Sequence, residues 1–291
     1  MPNGHLADAL LDRLAAGWIA LGASLGGDAD QTLVDLEGLI AMTALRGSDE
    51  PRVYEAALDW CIEHGTLVNW ARLRTVACEI GGDSAAIWAF AARVAGGGGP
   101  RWPVVAGPAI PYRSRGKTRT RDLRELGALV VRLRALFGVA VRSDILAVLA
   151  TEPALAPSLA ELAARTRSTK RNVGIAVDTL ALGGAVEIDR VGNAQRVRLA
   201  ADPGLHAWLG AVPEPADWVS RFTVVEAVLD FEAAVAGPPL ARAVEARVLA
   251  EGLLPRARRS GLPVPDTSVL GEAFGAAYAR WTDDLAAAIR P

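Results

Sequence analysis

Cysteine, lysine and histidine are all scarce. The two cysteines, Cys61 and Cys78, can build neither a disulfide framework nor a zinc site of CxxC type, and they suit a reducing compartment. Of the 31 basic residues only Lys117 and Lys170 are lysine. Of the three histidines, His5 and His206 have no partners in any recognisable spacing, and only His64 lies near a group of carboxylates, too few histidines for a metal site. Every apolar run is broken by charge well short of the ~18 residues that a membrane-spanning helix needs. Residues 1–25 lack the basic segment ahead of an apolar core that marks a secretory leader. These absences predict a cytoplasmic protein with no membrane partner.

Catalytic motifs are missing as well. No serine lies in a G-x-S-x-G context and no G-x-x-x-x-G-K-[ST] loop occurs; Gly96–Gly99 has neither the lysine nor a preceding strand. Glu55, Asp59 and Glu63 are spaced by four, so they share one helix face, which reads as a solvated row matched by Arg72 and Arg74. The expectation is a protein that is not an enzyme and carries no cofactor and no metal.

What is present is apolar material in helical spacing. Hydrophobic residues make up 51 % of the 291 positions, enough for two or three domains with cores of their own. The fold class expected is mainly α. A helical N-terminal domain spans 1–95, with stripes such as Leu10, Leu14, Trp18, Leu21 and Leu25, a helix entered through Pro51, and another capped by Asn69. A linker covers 96–121: glycines first, then Pro100, Pro103, Pro108 and Pro111, then the basic run "RSRGKTRTRDLR" from Arg113. A central domain with a small β-hairpin follows at 122–200. A helical C-terminal region occupies 201–291, with stripes Trp218–Phe222–Val225–Leu229, Leu240–Val244–Val248 and Leu270–Phe274–Ala277–Trp281–Leu285. Between the last two, "LLPRARRSGLPVP" reads as a loop because of its prolines.

The near-neutral net charge of −2 hides a split. Residues 113–198 carry 16 basic against 8 acidic side chains, a surplus of +8 that −10 elsewhere balances. A basic block inside an otherwise acidic chain points to a polyanionic partner. Within it lies "RTRSTKRNVGIAVDTLALGGAVEIDRVGNAQRVRL", Arg165–Leu199. Just before this stretch, Ser158 and Glu161 form a capping box over a short helix bearing Leu159, Leu162 and Ala163. Ser168 can cap the next helix, whose inward positions are Val173, Ala176, Val177 and Leu180; Gly183-Gly184 ends it. Two alternating stretches joined by Gly192-Asn193 then read as a hairpin.

Helix, short helix, tight turn, longer helix and hairpin, from about Arg142 to Leu199, resemble a winged helix-turn-helix. The pattern Leu159-x-x-Leu162-Ala163, Ser168-x-x-x-x-Val173, Val177, Leu180, Gly184, Val186 is similar to that of transcriptional regulators of the ArsR and MarR kind. That resemblance implies duplex-DNA binding, with a recognition helix whose first turn enters the major groove. Here that turn holds Ser168, Thr169, Lys170, Arg171 and Asn172. Arginine can bond guanine twice and asparagine adenine. Arg190, Asn193, Arg196 and Arg198 fall on the wing, and Arg165 and Arg167 flank the turn. Arg113, Arg115, Lys117, Arg119 and Arg121 are either a minor-groove arm or a solvated loop.

The N-terminal stretch Val34–Arg74 resembles that of uncharacterised bacterial winged-helix proteins, some of which sit beside nucleotidyltransferase toxins of the AbiE type. This implies an antitoxin that binds a protein partner through acidic helices, as an alternative. The C-terminal helices alone make a poor core, so they are expected to pack on the central domain, on the N-terminal domain or on a second subunit. The regulator resemblance also implies a homodimer, to which residues 218–236 or 269–289 would contribute, against a monomer whose helices all pack internally.

Overall fold

The computed structural model describes residues 4–81, 84–103, 107–116, 123, 125–192 and 194–291. It is mainly helical, with one two-stranded antiparallel sheet among the described residues. The N-terminal part holds α1 (Gly4–Ala20), α2 (Leu36–Arg46), α3 (Pro51–His64), α4 (Trp70–Ile80) and α5 (Ser84–Gly96). The central part holds α6 (Leu129–Phe137), α7 (Val141–Thr151), α8 (Leu159–Thr166), α9 (Lys170–Leu182), β1 (Val186–Val191) and β2 (Ala194–Leu199). Then come α10 (Pro203–Leu209), α11 (Trp218–Ala234), α12 (Pro239–Arg259) and α13 (Ala273–Ile289). No helix among the described residues is long and apolar enough to cross a membrane.

Helix starts follow the capping chemistry legible in the chain. Asn69 accepts the Arg72 amide at the head of α4, and Pro51 sits in the first turn of α3 behind the Glu50 cap. The Ser158–Glu161 box at α8 is closed in both directions: Glu161 accepts the Ser158 amide at 2.6 Å, and the Ser158 hydroxyl accepts the Glu161 amide at 3.3 Å.

Two cores result, and their membership differs from the domain order expected along the chain. Leu10, Trp18, Met42, Trp60 and Phe90 of the N-terminal helices share one core with Phe222, Phe274, Trp281 and Leu285. The C-terminal helices therefore pack on the N-terminal domain, one of the three arrangements expected for them, and share its core as one helical body. The stripes of α11 and α13, expected to contribute to a subunit contact, are spent inside the chain: Trp218, Phe222, Val225, Phe274 and Trp281 are all buried. The second core is that of the central domain, with Leu133, Ile145, Leu162, Val173, Val177, Val186 and Val197.

Helix α12 overturns two further expectations. Its inward residues are Ala243, Ala246, Ala250 and Ala257, which allow close approach to α11 and α13, while Leu240, Val244 and Val248 are 51, 52 and 66 % exposed. It also runs through Pro255 as far as Arg259, where a loop was expected; the proline withholds one backbone hydrogen bond, but burial of Ala257 holds the last turn in place.

The two cores are joined by a buried chain of charges. Glu37 of α2, fully buried, accepts from Arg134 of α6 at 2.6 and 2.9 Å and from Arg72 of α4 at 2.7 Å. Arg134 also donates to Asp144 of α7 at 2.9 Å, and Arg72 donates to Asp35 at 2.8 Å. Burial alone would raise the carboxyls of Asp35 and Glu37, but the guanidinium groups of Arg72 and Arg134 override it and hold both below their ordinary range. For Asp144 burial wins, and its carboxyl is held above the ordinary range.

The signs give a pH dependence. Asp35 and Glu37 contribute stability that is fully present above the unfolded carboxylate values, about 4, and is lost as pH falls below them. Asp144 acts oppositely, losing its contribution as pH rises through its raised value. The downward shift of Asp35 is the large one and sets the net sign, so the thermal midpoint is expected to fall from pH 5 to pH 3. A flat midpoint over that interval contradicts the assignment.

Candidate nucleic-acid interface

The unit α8–turn–α9–β1–β2 owes its shape to local rules plus a few long-range ties at its turn. Helix α8 ends where Arg167 takes the left-handed conformation (φ 51°), the only described non-glycine residue with positive φ. The Ser168 amide then bonds the Ala163 carbonyl at 3.0 Å and closes the helix end. A left-handed arginine costs ~1–2 kcal/mol of backbone strain. Its side chain offsets this by donating to Glu79 of α4 at 3.0 Å and to Asp217, the cap of α11, at 2.7 Å. Arg72 adds a bond to the Thr166 carbonyl. The tight turn is thus pinned to the helical body.

Helix α9 begins one residue later than its sequence suggests. Thr169, not Ser168, is the cap: its hydroxyl accepts the Asn172 amide at 3.2 Å. Val173, Ala176, Val177 and Leu180 face the second core as expected. The opposite consequence matters for binding: Thr169, Lys170, Arg171 and Asn172 are all exposed, a polar first turn held outward by the apolar face behind it.

The hairpin pairs Val186 with Leu199 through Val191 with Ala194, and Gly192 at φ 60° supplies its turn. It is fixed to the helices by the Val197 amide, which bonds the Pro157 carbonyl at 3.0 Å. Between the hairpin and the start of α9 lies an open groove of about 620 Å³, lined by Ser158, Ala160, Lys170, Arg190 and Gln195 among others.

Many of the sequence-predicted cations are consumed by neighbours. Arg167, expected to flank a DNA contact, is pinned in the turn with its side chain only 10 % exposed and serves as a structural tie instead. Arg165 pairs with Glu152. On the hairpin, Arg196 pairs with Glu161 at 2.9 Å, and Arg198 with Asp189 at 2.9 Å and Glu187 at 3.3 Å. Arg115 is no free arm: its side chain pairs with Glu55 at 2.9 Å and its amide donates to Asp59. Asp59 is itself buried and also accepts the Tyr112 hydroxyl at 3.0 Å, so Glu55 and Asp59 of the α3 row anchor the linker, while Glu63 keeps the solvated position its spacing suggested. Its expected partner Arg72 instead belongs to the buried chain of charges. Arg113 is exposed, whereas Lys117, Arg119, Arg121 and Asn193 lie outside the described residues.

Lys170, Arg171 and Arg190 are exposed and enter no ion pair among the described residues. They converge on the groove and on the outward turn of α9. Comparison with protein-family models, with curated proteins and with solved structures finds no match for this chain.

Proposed function

We propose that this chain is a sequence-specific, duplex-DNA-binding regulator that reads the major groove with the first turn of α9. The observation that carries this reading is the outward placement of Thr169, Lys170, Arg171 and Asn172 ahead of a buried helix face, beside a groove edged by Lys170 and Arg190. Arginine and asparagine are the residues that form paired hydrogen bonds with guanine and adenine, and the turn is tied by Arg167 to Glu79 before α9 and by the Thr169 cap at its start. The arrangement of a regulator with a wing also favours two copies on paired half-sites. Any such dimer contact has to lie outside the buried stripes of α11 and α13. The test is an electrophoretic shift with DNA from upstream of the chain's own gene. A retarded complex at ~50 mM salt and micromolar protein supports the reading, and its absence overturns it.

A second reading is a module that holds a partner protein, in the manner of an antitoxin. The outward apolar residues Leu240, Val244 and Val248 of α12 favour it. Co-purification with the product of an adjacent gene supports that reading; recovery of the chain alone counts against it.

A further inference from the structure

The outward side of α9 does not end with its first turn. Val173, Ala176, Val177 and Leu180 turn into the second core, so the residues opposite them face solvent. Arg171 lies on that opposite side, and Ile175, four residues on, falls on the same stripe. Ile175 is 59 % exposed. A lone exposed isoleucine on a protein surface needs no explanation by itself. This one stands about 6 Å along the axis from Arg171, the length of about two base-pair steps.

Its neighbour Gly174 supplies a second observation. Glycine inside a helix is less stable than alanine, because it loses more backbone freedom on folding. Packing within the chain does not ask for it here. A Cβ built on Gly174 meets nothing closer than Cδ1 of Leu159 at 4.0 Å, an ordinary contact distance. Leu159 lines the groove between the hairpin and α9, and so does Lys170, which precedes Gly174 by one helical turn. The missing side chain leaves a bare strip of backbone on the groove side of α9, directly beside Ile175. Such a strip suits the close approach of another molecule.

The side chain of Ile175 has no donor or acceptor, so it cannot bond a base edge. What it can meet in the major groove is the C5 methyl of thymine, the apolar group that base pairs present there. Asp178, the first acidic residue of α9, follows three residues later and is exposed. Phosphate repels it, so the surface that α9 offers a duplex is its first two turns.

We propose that Ile175 is a specificity-determining residue: it packs on the C5 methyl of a thymine within about two base pairs of the guanine that Arg171 bonds, and Gly174 gives the DNA backbone room to close on α9. This rests on the DNA-binding reading above and deepens it, adding thymine to the sequence that the helix prefers.

The probe is the upstream duplex of the shift assay, made once with thymine and once with deoxyuridine in its place, which removes the C5 methyl alone. The full chain is titrated against both at ~50 mM salt. The readout is the thymine-to-uracil affinity ratio of the wild type divided by that of Ile175→Ala, in which effects of uracil on duplex shape cancel. It is expected to be about 4 for each methyl contacted, the change for one methyl group left unburied. Gly174→Ala is expected to raise the urea midpoint and yet weaken binding to the thymine duplex, opposite changes that a loss of folding cannot produce. Circular dichroism checks that each variant is folded. If Ile175→Ala and the wild type respond alike to uracil, the assignment of Ile175 is overturned while the DNA-binding reading stands. A Gly174→Ala variant that binds as tightly as the wild type overturns the close approach along the groove. If the wild type shifts neither duplex, the assignment and the DNA-binding reading fall together.

Discussion

Arg134→Ala is expected to cost about 3–5 kcal/mol of folding stability, the penalty for stripping one partner from a buried ion network. Arg134 is 2 % exposed and donates to Glu37, to Asp144 and to the Leu67 carbonyl. Alanine removes all of these donors and leaves a void. Arg72 still covers part of Glu37, but Asp144 is left with no guanidinium donor. A carboxylate taken out of water with no partner either destabilises the fold or binds a proton, and its pH dependence changes in both cases. Urea denaturation followed by circular dichroism measures the loss. A companion variant, Arg134→Met with Asp144→Leu, removes charge from both ends of one pair and is expected to recover part of it, as apolar replacement of buried pairs does elsewhere. A loss below about 1 kcal/mol for Arg134→Ala would mean that the network is not what fastens the central domain to the helical body.

Lys170→Ala with Arg171→Ala is the second large effect, and it falls on binding and not on folding. Both side chains are exposed on the first turn of α9, so their removal opens no cavity and breaks no ion pair among the described residues. A base-reading arginine contributes ~1–3 kcal/mol of discrimination, and a phosphate contact adds a salt-dependent share. Affinity for the specific site is expected to fall by about 10²-fold or more at low salt, while the urea midpoint stays at its wild-type value. Specific affinity that survives the double substitution would place recognition elsewhere in the molecule.

The parts that could be read in advance are those governed by neighbours in the chain. The Ser158–Glu161 box, the inward set Leu162, Val173, Val177 and Leu180, and the hairpin around Gly192 follow from capping, helical spacing and turn chemistry, and all lie within 45 residues. The parts that could not be read depend on partners far away. Arg134 meets Glu37 across 97 residues and Arg167 meets Glu79 across 88, so a count of charge in residues 113–198 treated both as free surface cations. Of the +8 surplus, Arg115, Arg134 and Arg167 are matched by acids from outside the block. Helix α12 failed for a different reason: apolar spacing identifies an amphipathic face, but where three helices pack closely the small alanines turn inward and the valines outward. That the C-terminal helices need a partner is legible in their long apolar stripes, but which of the three candidates they pack on has no local signature.

Methylation protection on the upstream DNA tests the central claim most directly. With the wild-type chain bound, N7 of at least one guanine in the major groove is expected to be shielded from methylating reagent, and Arg171→Ala is expected to restore its reactivity without releasing the complex at ~50 mM salt. A bound complex in which every guanine N7 reacts as in free DNA, or a protection pattern that Arg171→Ala leaves unchanged, contradicts it.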